Sequence, residues 1–263
     1  MSFFRVIVPN YNNGEWLKKC VESVLNQTFK DYDLIVVDDC SDDNSREYLQ
    51  TIIGKALVFS CHDKHYNGGS RNIGIDQLKG LSDYTLFLDS DDWFVDNNVF
   101  QELHDFIIDE EHPDCVRLPY ICEYEGNKHL NVQLTDSTLE GLTASCFVAC
   151  WTKCIKSDLV QKFPENTLME DVVQHIKQCD VIKEVVPFNK PVVVHNGNNK
   201  NSCSRKENQD LQHGKWQSSM FRYMADLLDL QLTHDYCEKA RQARCEGCLK
   251  NIRNGVYSQT IIK

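Results

Sequence analysis

The chain has 263 residues, of which 41% are hydrophobic and 25% charged, with a formal net charge of -11. That length supports a substantial core in one large or two small domains, and the acidic balance argues against a surface built for phosphate backbones. No run of about 18 apolar residues occurs, so a membrane-spanning helix is not expected.

In chain order, "FFRVIVP" (3–9), "DLIVVDD" (33–39), "ALVFS" (56–60) and "YTLFLD" (84–89) read as buried strands rich in Val, Ile, Leu and Phe. Between them, helical patterns cover 14–26, 43–53 and 70–79; the first repeats Trp16, Leu17, Cys20, Val21, Val24 and Leu25 at helical spacing. Alternation of this kind predicts a mainly parallel sheet covered on both faces, with ligands at the carboxyl ends of the strands. The second half predicts strands at 114–124, 128–134, 146–151, 181–187 and 190–195 and helices around 154–162 and 169–178. Two further helices follow 205, the first burying Trp216, Met220, Tyr223 and Leu227 against the body. The expected architecture is an αβα domain over 1–204 and a helical extension over 205–263.

The strand ends carry the unusual residues. "LFLDSDDWF" (86–94) places Asp89, Asp91 and Asp92 directly after an apolar run. Alternation along a strand would point Asp89 and Asp91 to the same side. Carboxylates held that close raise each other's pKa unless a cation neutralises them, and few hard oxygen ligands suit Mn²⁺ or Mg²⁺. A helix cap explains one such Asp but not three. "VVDDCSDDNS" (36–45) supplies a second acidic strand end at Asp38 and Asp39. "HYNGGSRNIGI" (65–75) surrounds Arg71 and Asn72 with glycines that permit close backbone approach to a ligand, and Arg71 can meet a phosphate bidentately. Neither the dinucleotide G-x-G-x-x-G pattern nor the P-loop is present.

Together "VIVPNYNNGEWLKKCVESVLNQT", "LIVVDDCSDDNS", "NGGSRNIGI" and "FLDSDDWF" resemble the successive motifs of family 2 glycosyltransferases with the GT-A fold, a Rossmann-like αβα sandwich. "WTKCIKSDLVQKFPENTLMEDVVQHI" (151–176) is similar to the acceptor-side segment that ends in the family's Glu-Asp motif. The resemblance divides the domain into a nucleotide-binding half, about 1–95, and an acceptor-binding half, about 96–204. It implies that Pro9, Tyr11, Asn12, Asp38, Asp39, Asn67, Arg71 and Asp89 hold the nucleotide. It implies that Asp91, with Asp89, binds Mn²⁺ or Mg²⁺, and that His195 is a third metal ligand or a phosphate-binding residue. Asp171 would be the general base. Glu170, Trp151 and Asp92 would face a donor or acceptor sugar, and Lys200 and Arg205 would belong to a phosphate-closing loop.

The activity so implied is inverting transfer from a nucleotide-diphosphate sugar, most often a UDP-sugar, to an acceptor hydroxyl on a glycan, lipid-linked glycan, protein or modified nucleic acid. The alternative is a non-catalytic nucleotide-sugar-binding protein of the same fold; a receiver-type phosphotransfer domain would want a late-strand Lys and a much shorter chain. Thirteen cysteines with no leader-like N-terminus predict free thiols in a cytoplasmic protein. From Arg205 onward ten Lys/Arg face seven Asp/Glu, which allows peripheral contact with a membrane but fits a solvated helical face. His234, Cys237, Cys245 and Cys248 resemble a zinc set, yet on one helix residues 234 and 245 would lie ~16 Å apart. Cys146, Cys150 and Cys154 are expected to be buried small hydrophobes.

Overall fold

The computed structural model describes residues 1–77, 80–131, 149–165, 170–200 and 202. In chain order the elements are β1 Ser2–Asn10, α1 Gly14–Leu25, β2 Tyr32–Asp38, α2 Ser45–Thr51, β3 Leu57–Ser60, α3 Tyr66–Gln77, β4 Ser82–Phe87, β5 Trp93–Phe94 and α4 Val99–Asp109. They continue with β6 Cys115–Arg117, β7 Tyr120–Tyr124, β8 Asn127–Asn131, a 3-10 turn Cys150–Thr152, β9 Lys153–Lys156, α5 Glu170–Val181, β10 Val185–Pro187 and β11 Val193–Asn196.

A seven-stranded sheet runs in the order β10-β6-β9-β4-β1-β2-β3, and a second sheet in the order β5-β11-β7-β8. β1 is buried along its whole length and pairs in parallel with β2 and β4. A strand covered on both faces needs the continuous apolar run that Phe3 to Val8 supplies. α1 buries Leu17, Cys20, Val21 and Val24, the stripe expected from its spacing. Tight packing also explains α3's glycines. A Cβ at Gly74 would strike Ile7 of β1, and one at Gly68 would strike the backbone carbonyl of Pro164, so these glycines admit neighbouring protein rather than a ligand.

β9 is the antiparallel member, paired with both β4 and β6. Because it runs backwards, its first residues and the preceding 3-10 turn lie at the carboxyl end of the parallel strands. The expected helix around 154–162 is absent: Lys153 to Lys156 complete ladders on two sides, and that pairing outweighs local helix preference. The expected strand 114–124 is two strands broken at Leu118-Pro119, since Pro119 has no N–H for a ladder and only its carbonyl is used, by Val192. The strand expected from 181 begins at Val185, because α5 continues to Val181. Where the 146–151 strand was expected, the described part is the Cys150–Thr152 turn. The extension 205–263, with Arg205 and the candidate zinc residues, lies outside the described residues, as does Cys146. Cys20, Cys40, Cys61, Cys115, Cys122, Cys150 and Cys154 are free thiols. No helix among the described residues is long and apolar enough to cross a membrane.

Candidate active site

The site lies at the carboxyl ends of β1, β2 and β4, where each strand gives way to a loop. β4 stops at Phe87, and Asp89 to Asp92 form a turn closed by the Asp92 N–H on the Asp89 carbonyl at 2.9 Å. It is this turn, and not strand alternation, that gathers the carboxylates: one oxygen from each of Asp89, Asp91 and Asp92 lies within 4.8 Å of the others.

The three acids differ in their surroundings. Asp92 is fully buried and accepts from the Asn196 N–H at 2.8 Å and from His195 Nδ1 at 3.2 Å. β5 pairs with β11 through Trp93 and Val194, which fixes that meeting. Burial pushes Asp92 up and His195 holds it down; conversely, burial would lower His195, but the bond to Asp92 and the carboxylates around it raise the imidazole to about 9. Asp91 is 9% exposed and accepts from the Asn199 side-chain amide at 2.7 Å. Burial, followed by the charges of Asp92 and Asp89, pushes Asp91 up to about 7. Asp89 is more open and pairs with Arg71 at 2.6 Å.

This donor set fits a hard divalent cation. Asp91 carries a raised pKa that such an ion would reverse, and among the described residues it has an amide rather than a cationic side chain bonded to it. His195 bonds Asp92 through Nδ1 and stands outside the set of carboxylates gathered closely enough to share one ion.

Arg71, buried in α3, spans the site. Nη2 bonds Asp89; Nη1 bonds Glu170 at 2.5 Å and Asp171 at 3.4 Å. Burial would lower its pKa, but the surrounding carboxylates outweigh that and raise it. Asp171, in the first turn of α5, is pushed up by burial and pulled down by Arg71 and Lys153. Glu170 is pushed up to about 7, by burial and then by Asp171. Sequence reasoning gave Arg71 to a phosphate; the structure commits its donors to three carboxylates.

The other anticipated residues divide into linings and braces. Tyr11 and Asn67 are exposed, and the Lys64 ammonium lies over the Tyr11 ring. Pro9 is buried in β1. Asn12 exchanges two hydrogen bonds with Asp42, at 2.6 and 2.9 Å. Asp39 accepts the N–H groups of His65 and Tyr66, both at 2.7 Å, and so caps the start of α3. Asp38 is fully buried and bonded by Asn10, Ser41 and Arg46, so it braces the loops after β1 and β2. Non-glycine residues in the left-handed region cluster here, at Asn12, Cys40 and Tyr66.

Asp92 is buried beneath His195, and Trp151 is 7% exposed with His195 stacked on its face at 5.2 Å and Tyr120 against it at 4.7 Å. Lys200 is exposed at the end of the described loop. Sequence reading missed Asn199, which joins Asp91 to Asn13, and Lys153, a fully buried lysine whose only signal was a charge inside "CWTKCI".

With this geometry in place, the family model for Glycosyl transferase family 2 matches residues 5–145, more than half of the chain. The chain belongs to glycosyl transferase family 2. Among similar family members, the minor teichoic acid biosynthesis protein GgaA of Bacillus subtilis (strain 168) is 34% identical over 143 residues, 51% of this chain and 32% of its own length. An uncharacterized glycosyltransferase of Haemophilus influenzae is 32% identical over 147 residues, 54% of this chain and 57% of its own. The chain thus spans between about a third and a little over half of these relatives. Among solved structures, TarS 1-349 of S. aureus in complex with UDP-GlcNAc superposes with a TM-score of 0.72 at 20% identity, covering 99% of this chain and 76% of that one. That likeness shows the shared GT-A fold.

Proposed function

We propose that the chain is an inverting glycosyltransferase that moves a sugar from a UDP-sugar to an acceptor hydroxyl, with Asp171 as general base. The observation that carries this reading is the reach of Arg71: one guanidinium touches Asp89 of the acidic turn with one nitrogen and Glu170 and Asp171 with another. A cation-binding corner and a candidate base therefore stand on opposite sides of one rigid, buried group. The UDP-GlcNAc complex of TarS supports the choice of a UDP-sugar.

Tyr11, with Lys64 beneath it, and Asn67 offer open surface for the base and ribose. Asp91 and Asp89 would hold Mn²⁺ or Mg²⁺, which when bound supplies a Lewis acid for the charge that grows on a departing diphosphate. On the chain's own side, Asp171 accepts the acceptor hydroxyl's proton as the new C–O bond forms at the anomeric carbon and the bond to the diphosphate breaks. Attack from the face opposite the leaving group inverts that carbon. Arg71 favours the anionic form of Asp171 against the burial that raises it, while Glu170 takes the other share of the guanidinium. Lys200 extends from the loop next to the corner, where it can meet a phosphate.

A thermal-shift panel of nucleotide sugars with and without Mn²⁺ tests the donor. Stabilisation by UDP-sugars that depends on Mn²⁺ is expected; a melting temperature indifferent to every nucleotide sugar overturns the reading.

A further inference from the structure

We propose that Asn199 is a positioning residue for the cation site: its side-chain amide holds Asp91 in the orientation in which that carboxylate takes a divalent ion. Asn199 Nδ2 donates to Asp91 Oδ2 at 2.7 Å and to Asn13 Oδ1 at 3.0 Å. Asn13, at the start of α1, in turn donates through Nδ2 to the Ser90 hydroxyl at 2.9 Å. Ser90 directly precedes Asp91, so Asn13, Ser90, Asp91 and Asn199 close a ring around one side of the acidic turn. Asn199 is 2% exposed, and an amide so buried is stable only where its polar hydrogens are used. Both hydrogens on Nδ2 are used, one by each acceptor.

The loop after β11 is fixed so as to deliver that amide. The Asn196 N–H donates to Asp92 at 2.8 Å, the Gly197 N–H to the Glu123 carbonyl at 2.8 Å, and the Asn198 side chain accepts the Glu125 N–H at 2.8 Å. These bonds tie the loop to the acidic turn and to the end of β7 before Asn199 is reached. A carboxylate turns about its Cβ–Cγ bond, and a partner on one oxygen decides where the other faces. Such outer partners commonly set the affinity of a metal ligand. The kind of donor matters too. Arg71 already sets a full positive charge against Asp89, and a second cation on Asp91 would compete with the ion for the same carboxylate. A neutral amide orients Asp91 and leaves its charge for the metal.

The proposal rests on the reading of Asp91 as a cation ligand, and the test separates the two. The full chain is titrated with Mn²⁺ at one fixed pH, with and without UDP, and the free ion is followed by its paramagnetic resonance signal. Wild type should bind Mn²⁺; no binding under either condition removes the cation reading, and the proposal with it. Given binding by wild type, Asn199→Ala should bind about 10–100-fold more weakly. Asn13→Ala, which removes the amide's other partner, should show a smaller loss, and it decides the matter should Asn199→Ala not melt cooperatively. Asn198→Ala loosens the same loop from β7 without touching Asp91 and should bind Mn²⁺ nearly as wild type does. Equal or tighter binding by a folded Asn199→Ala overturns the proposal and leaves the cation reading intact. So does a loss in Asn198→Ala as large as that in Asn199→Ala, which would mean that only the docking of the loop matters.

Discussion

Asp92 and His195 form a closed pair beneath the acidic turn: the carboxylate takes the imidazole Nδ1 at 3.2 Å and the next residue's N–H at 2.8 Å. Trp151 stacks on the other side of the imidazole. The pair joins the turn after β4 to β11, so it braces the acidic turn against the second sheet.

Asp92→Ala should therefore do structural damage. It strands the buried Asn196 N–H, a loss of about 1–3 kcal/mol, and releases a half-buried imidazole that water can partly satisfy. Urea denaturation measures it, and the midpoint should fall with little change in slope.

The same pair sets a pH dependence. His195 titrates at about 9 in the folded chain against an ordinary 6.5. A raised histidine contributes stability that is complete below its unfolded value and disappears as pH rises through the folded one. The stability difference between wild type and His195→Asn should thus be largest at pH about 6 and shrink steadily toward pH about 9–10. Urea midpoints across that range supply the check.

Asp91 predicts a different window. Its carboxyl is held up to about 7 from an ordinary 3.8, so a proton must leave before a cation can bind. The melting-temperature gain from Mn²⁺ should decline as pH falls through about 7, and, with His195 titrating at about 9, reach its full size only above that. Asp91→Asn should abolish the gain at every pH.

Arg71 is the residue whose loss should spread furthest. Arg71→Met leaves Asp89, Glu170 and Asp171 facing one another around a buried void of charge. Breaking a buried pair from one side costs about 3–5 kcal/mol. Arg71→Lys keeps a charge but cannot bridge two directions at once, so it should recover part of the stability and little of any turnover. Denaturation and UDP release on the same samples distinguish these effects.

Much of the nucleotide half was readable because its signals are local. β1, β2 and β4 are apolar runs that end in Pro, Asn or Asp, and α1 repeats its buried residues at helical spacing. The acidic turn was legible as a cluster but not as a turn, since the bond from the Asp92 N–H to the Asp89 carbonyl leaves no mark in composition. β9 was not legible: Lys153 to Lys156 become a strand only because β4 and β6 wait on either side, far away in sequence. Asp38 and Trp151 stood out by residue type, but their burial could not be read from the sequence. Asn199 acts through a side-chain amide, which residue type alone does not reveal.

The most direct test of the central claim compares wild type with Asp171→Asn in two measurements on the same preparation: calorimetric binding of UDP with Mn²⁺, and release of UDP from the UDP-sugar that stabilises the chain. Both proteins should bind UDP alike, and Asp171→Asn should release it about 10²–10⁴-fold more slowly. Equal release rates, or no binding of UDP by either protein, would contradict the account.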